Sequence, residues 1–221
     1  MEDLLKGSPC LVLLDMDSTF IQQEVIDLLA LHAGVGAQVN AITEKSMRGE
    51  IDFRASLTER VALLKGLHVS VIQEVRAEIS LSVGALQMID SLQAAGHKVG
   101  VISGGFENVI APILESARVN YFRANTLEVE NELLTGKTIG PIVDRVAKAE
   151  YLKELAAELT IPLERTVAIG DGANDLGMME IAGLSIAFNA KPIVQAAAMA
   201  SIIDGDLFHV IQIMEEHFGT K

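Results

Sequence analysis

Four short stretches rich in Val, Ile and Leu recur along the chain: Cys10 to Leu14, Val99 to Ile102, Thr166 to Ile169, and Leu184 to Phe188. Each is nearly free of polar residues and is cut by Gly, Asp or Ser, the pattern of strands covered on both faces. Between them apolar residues repeat at helical spacing. Leu86, Ile89 and Leu92 precede Gly96; Val109, Ile110, Ile113 and Leu114 form a second stripe; Leu152, Leu155 and Leu159 precede Pro162. Strands alternating with helices predict an α/β fold, a central parallel sheet flanked by helices on both faces. A last helix is expected from Leu207 to about His217.

Residues 21–82 break this rhythm. Ile21, Val25, Leu28 and Leu29, then Phe53, Leu57, Val61 and Leu64, then Val71, Val75 and Ile79 repeat at helical spacing, and no segment between them reads as a strand. A helical cap inserted after the first strand is expected at 21–82, leaving 1–20 and 83–221 as the core. Tyr121 to Val143 also stands apart, with β-prone stretches around Val129 and Thr138 and a turn at Glu130-Asn131-Glu132. It reads as a small β-hairpin excursion.

The chain has 221 residues, of which 50% are hydrophobic and 21% charged, enough apolar material for a substantial core. Its formal net charge is -13, with no Trp and 4% aromatics. Such a field repels nucleic-acid phosphates and anionic lipid headgroups and offers bases little to stack on, so neither nucleic acid nor membrane is an expected partner. The single Cys10 depends on no oxidising compartment, and it reads as an inert core residue of the first strand. Acidic residues come early in Met1–Lys6, the apolar run that follows is short, and no stretch reaches the ~18 apolar residues of a membrane span. A cytoplasmic location is the expectation. His32, His68, His97, His209 and His217 have no metal-ligand spacing.

The candidate chemistry lies where the predicted strands end. The first runs into Asp15-Met16-Asp17-Ser18-Thr19, which would set two carboxylates side by side at the carboxyl end of a central strand, where open α/β sheets bind ligands. The same residues also suit a helix N-cap. The third strand ends in Gly170-Asp171-Gly172-Ala173-Asn174-Asp175, where glycines permit close backbone approach and three polar side chains follow. Two acidic clusters at one sheet edge would repel each other, a pattern that asks for a divalent cation with hard oxygen ligands such as Mg²⁺. The second strand ends in Ser103-Gly104-Gly105, a hydroxyl and backbone N–H groups suited to an anion at a helix start.

Together these elements resemble the four signature motifs of the haloacid dehalogenase-like phosphatases. Asp15-Met16-Asp17-Ser18-Thr19 matches Asp-x-Asp-x-Thr, Ser103 the second-motif hydroxyl, Lys148 the third-motif base, and Gly170 to Asp175 the Gly-Asp-Gly-x-Asn-Asp loop. The chain is most similar to the phosphoserine phosphatase branch. Glu24 follows the first motif as in that branch, Val101 to Phe106 matches its second motif, and Met47, Gly49, Phe53 and Arg60 match the cap positions around an amino-acid pocket. Phe20 departs from the smaller aliphatic residue common there.

The resemblance implies a Rossmann-like core with a helical cap, and Mg²⁺-dependent hydrolysis of phosphoserine through an aspartyl-phosphate, the last step of serine biosynthesis. It implies Asp15 as nucleophile, Asp17 as acid and base, and Lys148, Ser103, Gly104 and Asn174 as phosphate holders. Asp15, Asp171 and the Asp17 carbonyl would hold the metal, supported by Thr19 and Asp175. Glu24 would take the substrate ammonium and Arg60 its carboxylate, a pairing that guanidinium geometry favours. No N-terminal regulatory module is expected. The same motifs also serve phosphatases of other small phosphomonoesters, phosphotransferases, and non-catalytic phosphate-binding regulators.

Overall fold

A computed structural model of the chain describes residues 8–219; the reading of Met1–Lys6 lies outside them. Seven strands form one sheet: β1 (Leu11–Leu14), β2 (Lys98–Phe106), β3 (Tyr121–Glu130), β4 (Leu133–Ile139), β5 (Thr166–Gly170), β6 (Leu184–Phe188) and β7 (Ala200–Ile202). Their order is β4-β3-β2-β1-β5-β6-β7, parallel throughout except for the β3–β4 hairpin. β1 is central, pairing with β2 on one side and β5 on the other.

Its four apolar residues reflect two covered faces. Val12 and Leu14 pack with α5 (Ala85–Ala94), α6 (Glu107–Ser116), α10 (His209–Phe218) and the helical insertion; Leu11 and Leu13 pack with α7 (Arg145–Glu158), α8 (Leu176–Ile181) and α9 (Pro192–Ala197). Alternate side chains of a strand point to opposite faces, so a strand between two helical layers is apolar at every position.

Between β1 and α5 the chain forms α1 (Val25–His32), α2 (Gly36–Met47), α3 (Phe53–Ala62) and α4 (Val71–Glu78). The sequence pattern showed all but α2, whose one buried residue is Val39; a helix that faces solvent on nearly every side leaves no apolar stripe to read. β7 also carries no signal, being three residues, Ala-Ser-Ile, at the sheet edge.

The hairpin turns at Asn131 and Glu132, both with positive φ (50° and 63°), the geometry of a tight primed turn. It extends the main sheet, because β3 pairs in parallel with β2. β2 itself runs four residues beyond Ile102, and its register with β3 shifts between Ile102 and Phe106. Ser103, Gly104 and Gly105 therefore form an irregular end of the strand, and α6 begins after Phe106. Small residues make this possible, since they let the strand kink and its backbone approach neighbouring loops.

Candidate active site

β1 delivers Asp15 to the carboxyl edge of the sheet, where the Asp15 N–H donates to the Ile169 carbonyl at 2.9 Å. A tight turn over Met16–Phe20 follows, in which Ser18 adopts φ 55°. Asp15 is buried, and its Oδ1 accepts the Met16 N–H at 2.7 Å. Asp17 Oδ1 accepts the Val25 N–H at 3.4 Å. The Ser18 hydroxyl donates to Glu24 Oε1 at 2.7 Å, and the Thr19 hydroxyl to Asp171 Oδ1 at 3.4 Å. The Asp15 to Glu24 segment thus folds back so that both acids of the motif and Glu24 face one space.

Lys148 enters from α7. Asp144 caps that helix by accepting the Val146 and Ala147 N–H groups at 3.0 and 2.9 Å, which fixes the first turn and aims Lys148 at the strand ends. Lys148 is fully buried, with Nζ 2.7 Å from both Asp15 Oδ1 and Asp175 Oδ1. Asp175 in turn accepts the Gly172 N–H on Oδ2 at 3.0 Å. A Cβ on Gly170 would lie 2.3 Å from Asp175 Cγ, so only glycine lets this carboxylate fold against the strand end.

The electrostatics are those of a carboxylate cluster short of cations. Burial pushes the Asp171 carboxyl up to about 8, helped by the Asp15 and Asp175 charges. Burial and the Asp15 charge push Asp175 up to about 7 against the pull of Lys148. Asp17 rises well above the usual carboxylate range through burial and the Glu24 and Asp15 charges. Glu24 is raised as well, chiefly by burial. For Lys148 burial alone would favour the neutral amine, but its two carboxylate partners outweigh it and hold the ammonium charged.

This donor set fits a hard cation. Asp15, Asp171 and Asp175 each present a carboxylate oxygen, all within 4.8 Å of one another. Among the described residues no other group of three His, Cys, Asp or Glu side chains meets that condition. Oxygen donors alone, two of them (Asp171 and Asp175) with raised proton affinity, are the chemistry of a divalent ion with no preference for nitrogen or sulfur.

The end of β2 closes another side. Ser103 is buried, and its hydroxyl accepts the Gly105 N–H at 2.8 Å. A Cβ at Gly105 would stand 2.6 Å from Asp17 Oδ2, and one at Gly104 would stand 3.0 Å from Phe53 Cζ. Asn125, which the sequence reading missed, holds this corner: its amide donates to the Gly104 carbonyl and its Oδ1 accepts the Val143 N–H, both at 2.8 Å. An Asn inside a β-prone run is the one faint trace in the sequence; that the amide is buried, and so must find partners, shows only in the fold.

A cavity of about 470 Å³ joins these groups to the helical insertion. Asp15, Asp17, Gly104, Asp171 and Asn174 line it from the core side, and Glu24, Met47, Phe53 and Arg60 line it from the insertion. Arg60 is partly buried, its Nε donating to the Ser56 carbonyl at 3.3 Å and its Nη1 to the Thr43 hydroxyl at 3.5 Å. Ser103, Lys148, Thr19 and Asp175 lie behind the lining. Gly49 is set apart, in the turn after α2 with φ 75°, where its N–H meets the Ser46 carbonyl at 3.0 Å. Thr43, Ser46, Ser56, Arg145 and Lys191 also line the cavity; none stands in a run that marks it in the sequence.

This cluster of carboxylates and one buried lysine sits at the edge of a recognisable fold, and the chain belongs to the haloacid dehalogenase-like hydrolase family, whose profile matches residues 12–180. Within it, the chain is 49% identical over 206 residues to the phosphoserine phosphatase of Streptococcus thermophilus, covering 93% of this chain and 96% of that one. It is 51% identical over 192 residues to the phosphoserine phosphatase of Streptomyces coelicolor, covering 87% of this chain but 47% of that longer protein. Among solved structures, a phospho-aspartyl intermediate analogue of phosphoserine phosphatase superposes with TM-score 0.89 at 40% identity, covering 94% of this chain and 99% of the other. A substrate-bound phosphoserine phosphatase complex gives TM-score 0.89 at 39% identity with the same coverage.

Proposed function

We infer that this chain hydrolyses O-phosphoserine to serine and inorganic phosphate, with the insertion at 21–82 acting as the cap that selects the substrate. One observation carries the reading. A single cavity joins the Asp15–Lys148–Asp175 cluster at the sheet edge to Glu24 and Arg60 on the insertion, a phosphoryl-transfer centre beside one acid and one guanidinium. Those are the partners that a substrate bearing an ammonium and a carboxylate requires.

In this reading Asp15 attacks phosphorus, the P–O bond to serine breaks, and Asp17 gives its proton to the departing serine oxygen. The raised proton affinity of Asp17 suits it to enter the reaction protonated. Water then attacks the aspartyl-phosphate, Asp17 takes its proton, and the P–O bond to Asp15 breaks to release phosphate and restore both carboxyls. Lys148 holds the Asp15 carboxylate in place, and with Asn174 and the β2 end it stabilises charge on the phosphoryl oxygens. Ser103 supports this by ordering the Gly105 N–H. Glu24, kept in position by the Ser18 hydroxyl, takes the ammonium; Arg60 takes the carboxylate with its remaining N–H groups; Met47 and Phe53 cover the apolar part.

Mg²⁺ is the proposed cofactor, held by Asp15, Asp171 and the Asp17 carbonyl with Asp175 and Thr19 behind them. When bound it supplies charge neutralisation for the phosphate and the carboxylate cluster. We place the reaction in the cytoplasm, as a biosynthetic step of an amino acid in a chain with one cysteine; no described helix is long and apolar enough to cross a membrane.

Phosphate release from L-phosphoserine, phosphothreonine and sugar phosphates, each with Mg²⁺ and with EDTA, tests the reading. Phosphoserine is expected to lead in kcat/KM, with loss of activity in EDTA. A sugar phosphate turned over as well would move the chain to another phosphomonoester; transfer to an added alcohol in place of water would make it a phosphotransferase.

A further inference from the structure

The cavity presents its ligand with an electrostatic difficulty. Its lining carries five acidic side chains, Asp15, Asp17, Glu24, Asp52 and Asp171, of which Asp17 enters the proposed reaction protonated, against three cations, Arg60, Arg145 and Lys191, in a chain of net charge -13. A phosphomonoester arrives as a dianion and must cross that field. Arg60 is engaged within the insertion, and Arg145 shares its charge with Glu180 at 3.4 Å. Lys191 differs from both. It is exposed, and its Nζ reaches across the opening from the core to Met47 Sδ of α2, 3.8 Å away. Among the described residues no carboxylate lies within 4.0 Å of it.

The backbone of Lys191 is anchored although its tip is free. Its N–H donates to the Asp171 carbonyl at 3.4 Å, and its carbonyl accepts the Val194 and Gln195 N–H groups at 2.9 and 3.0 Å as α9 begins. Pro192 follows, with its fixed φ. The ammonium is therefore carried on a stem rooted beside the Asp171 loop, at a thioether that offers it only a weak acceptor. A compact, hydrated charge so held can meet a dianion at the opening and release it inward, where Lys148 waits.

We propose that Lys191 captures the phosphate dianion of the substrate at the cavity mouth. Most lysines are solvated surface charges; this one is marked by its place on the cavity lining, its anchored backbone and its unneutralised charge. The proposal takes the cavity as the substrate entrance and holds for any phosphomonoester, which lets its test stand apart from the phosphoserine reading.

The test compares wild type, Lys191→Met, Lys191→Arg and Lys98→Met on phosphoserine and on p-nitrophenyl phosphate across a salt series. Lys98 is an exposed control at the amino end of β2, about 26 Å along that strand from its other end. For a dianion near one unit charge, Lys191→Met should lower kcat/KM about five- to tenfold at low salt on both substrates. The loss should lie in KM, with kcat within about twofold, and shrink below about twofold near 0.5 M salt. Lys191→Arg should restore most of it, and Lys98→Met should change nothing. An unchanged kcat/KM in Lys191→Met, a loss independent of salt, a loss carried by kcat, or the same loss in Lys98→Met would overturn the proposal. If wild type handles the two substrates equally, the phosphoserine reading fails, while Lys191 is still judged on p-nitrophenyl phosphate.

Discussion

Replacing Lys148 by Met keeps the volume of a fully buried side chain and deletes one charge. In the structure that charge is 2.7 Å from Asp15 and 2.7 Å from Asp175, with Asp171 in the same cluster. Removing one partner of a buried pair costs about 3–5 kcal/mol, because the other is left uncompensated. Here two carboxylates lose a partner, so the upper part of that range applies wherever both are ionised. Protonation relieves the cost, which makes it pH-dependent. The folded-state values of Asp171 and Asp175 are raised, to about 8 and about 7, so the folded state binds more protons than the unfolded one. Their stabilising contribution is complete below the unfolded carboxylate value of about 3.9 and is lost as pH climbs through about 7–8. Without the ammonium these values rise further. Urea unfolding of metal-free protein should therefore show Lys148→Met losing about 1–2 kcal/mol at pH 5.5 and about 4–5 kcal/mol at pH 8.5. At the higher pH that is a fall in Tm of roughly 10–20 °C for a chain of this size. Equal stability of the two proteins at pH 8.5, or a loss larger at pH 5.5, would refute the cluster electrostatics described above.

Gly105→Ala should cut phosphoserine turnover by about 10²-fold or more, since the added Cβ would stand 2.6 Å from Asp17 Oδ2 and a displacement of about 1 Å at the proposed proton donor is enough for that; near-normal kcat would remove the need for glycine there. Arg60→Ala should lower kcat/KM for phosphoserine by about 10²–10³-fold, the worth of two charge-assisted hydrogen bonds, yet change p-nitrophenyl phosphate hydrolysis only a few-fold; equal losses on both would assign Arg60 to folding. Asp17→Asn should lower kcat by about 10²–10⁴-fold, with a smaller loss on p-nitrophenyl phosphate, whose leaving group needs no proton. Stripping divalent ions from wild type should lower its Tm more at pH 8.5 than at pH 5.5, following the same carboxylate titration, and calorimetric addition of Mg²⁺ should release more protons at pH 7 than at pH 9.

The sequence made the sheet legible because β1, β5 and β6 lie between two helical layers, and burial on both faces writes itself as unbroken apolar runs. Asp15 and Asp175 stood in acidic clusters at predicted strand ends, whereas Lys148 entered only through the resemblance to the family's motifs; their contact depends on three separate elements meeting at one edge. What stayed hidden has physical reasons. α2 is solvated nearly all round and β7 is a three-residue edge. Ser103 to Gly105 read as the end of a strand, whereas the register shift carries β2 past them. Asn125 and Lys191 act through tertiary contacts with Gly104 and Met47, and no local period records a partner that lies 21 or 144 residues away.

In the proposed reaction Asp15 carries the phosphoryl group of phosphoserine. Rapid acid quenching of wild type and Asp15→Asn during turnover of phosphoserine labelled in its phosphoryl group, followed by peptide mapping, tests it most directly. Transient label is expected on the Asp15 peptide of wild type, decaying at the rate of phosphate release, with no label in Asp15→Asn. Label on another residue, or steady turnover in Asp15→Asn, would contradict it.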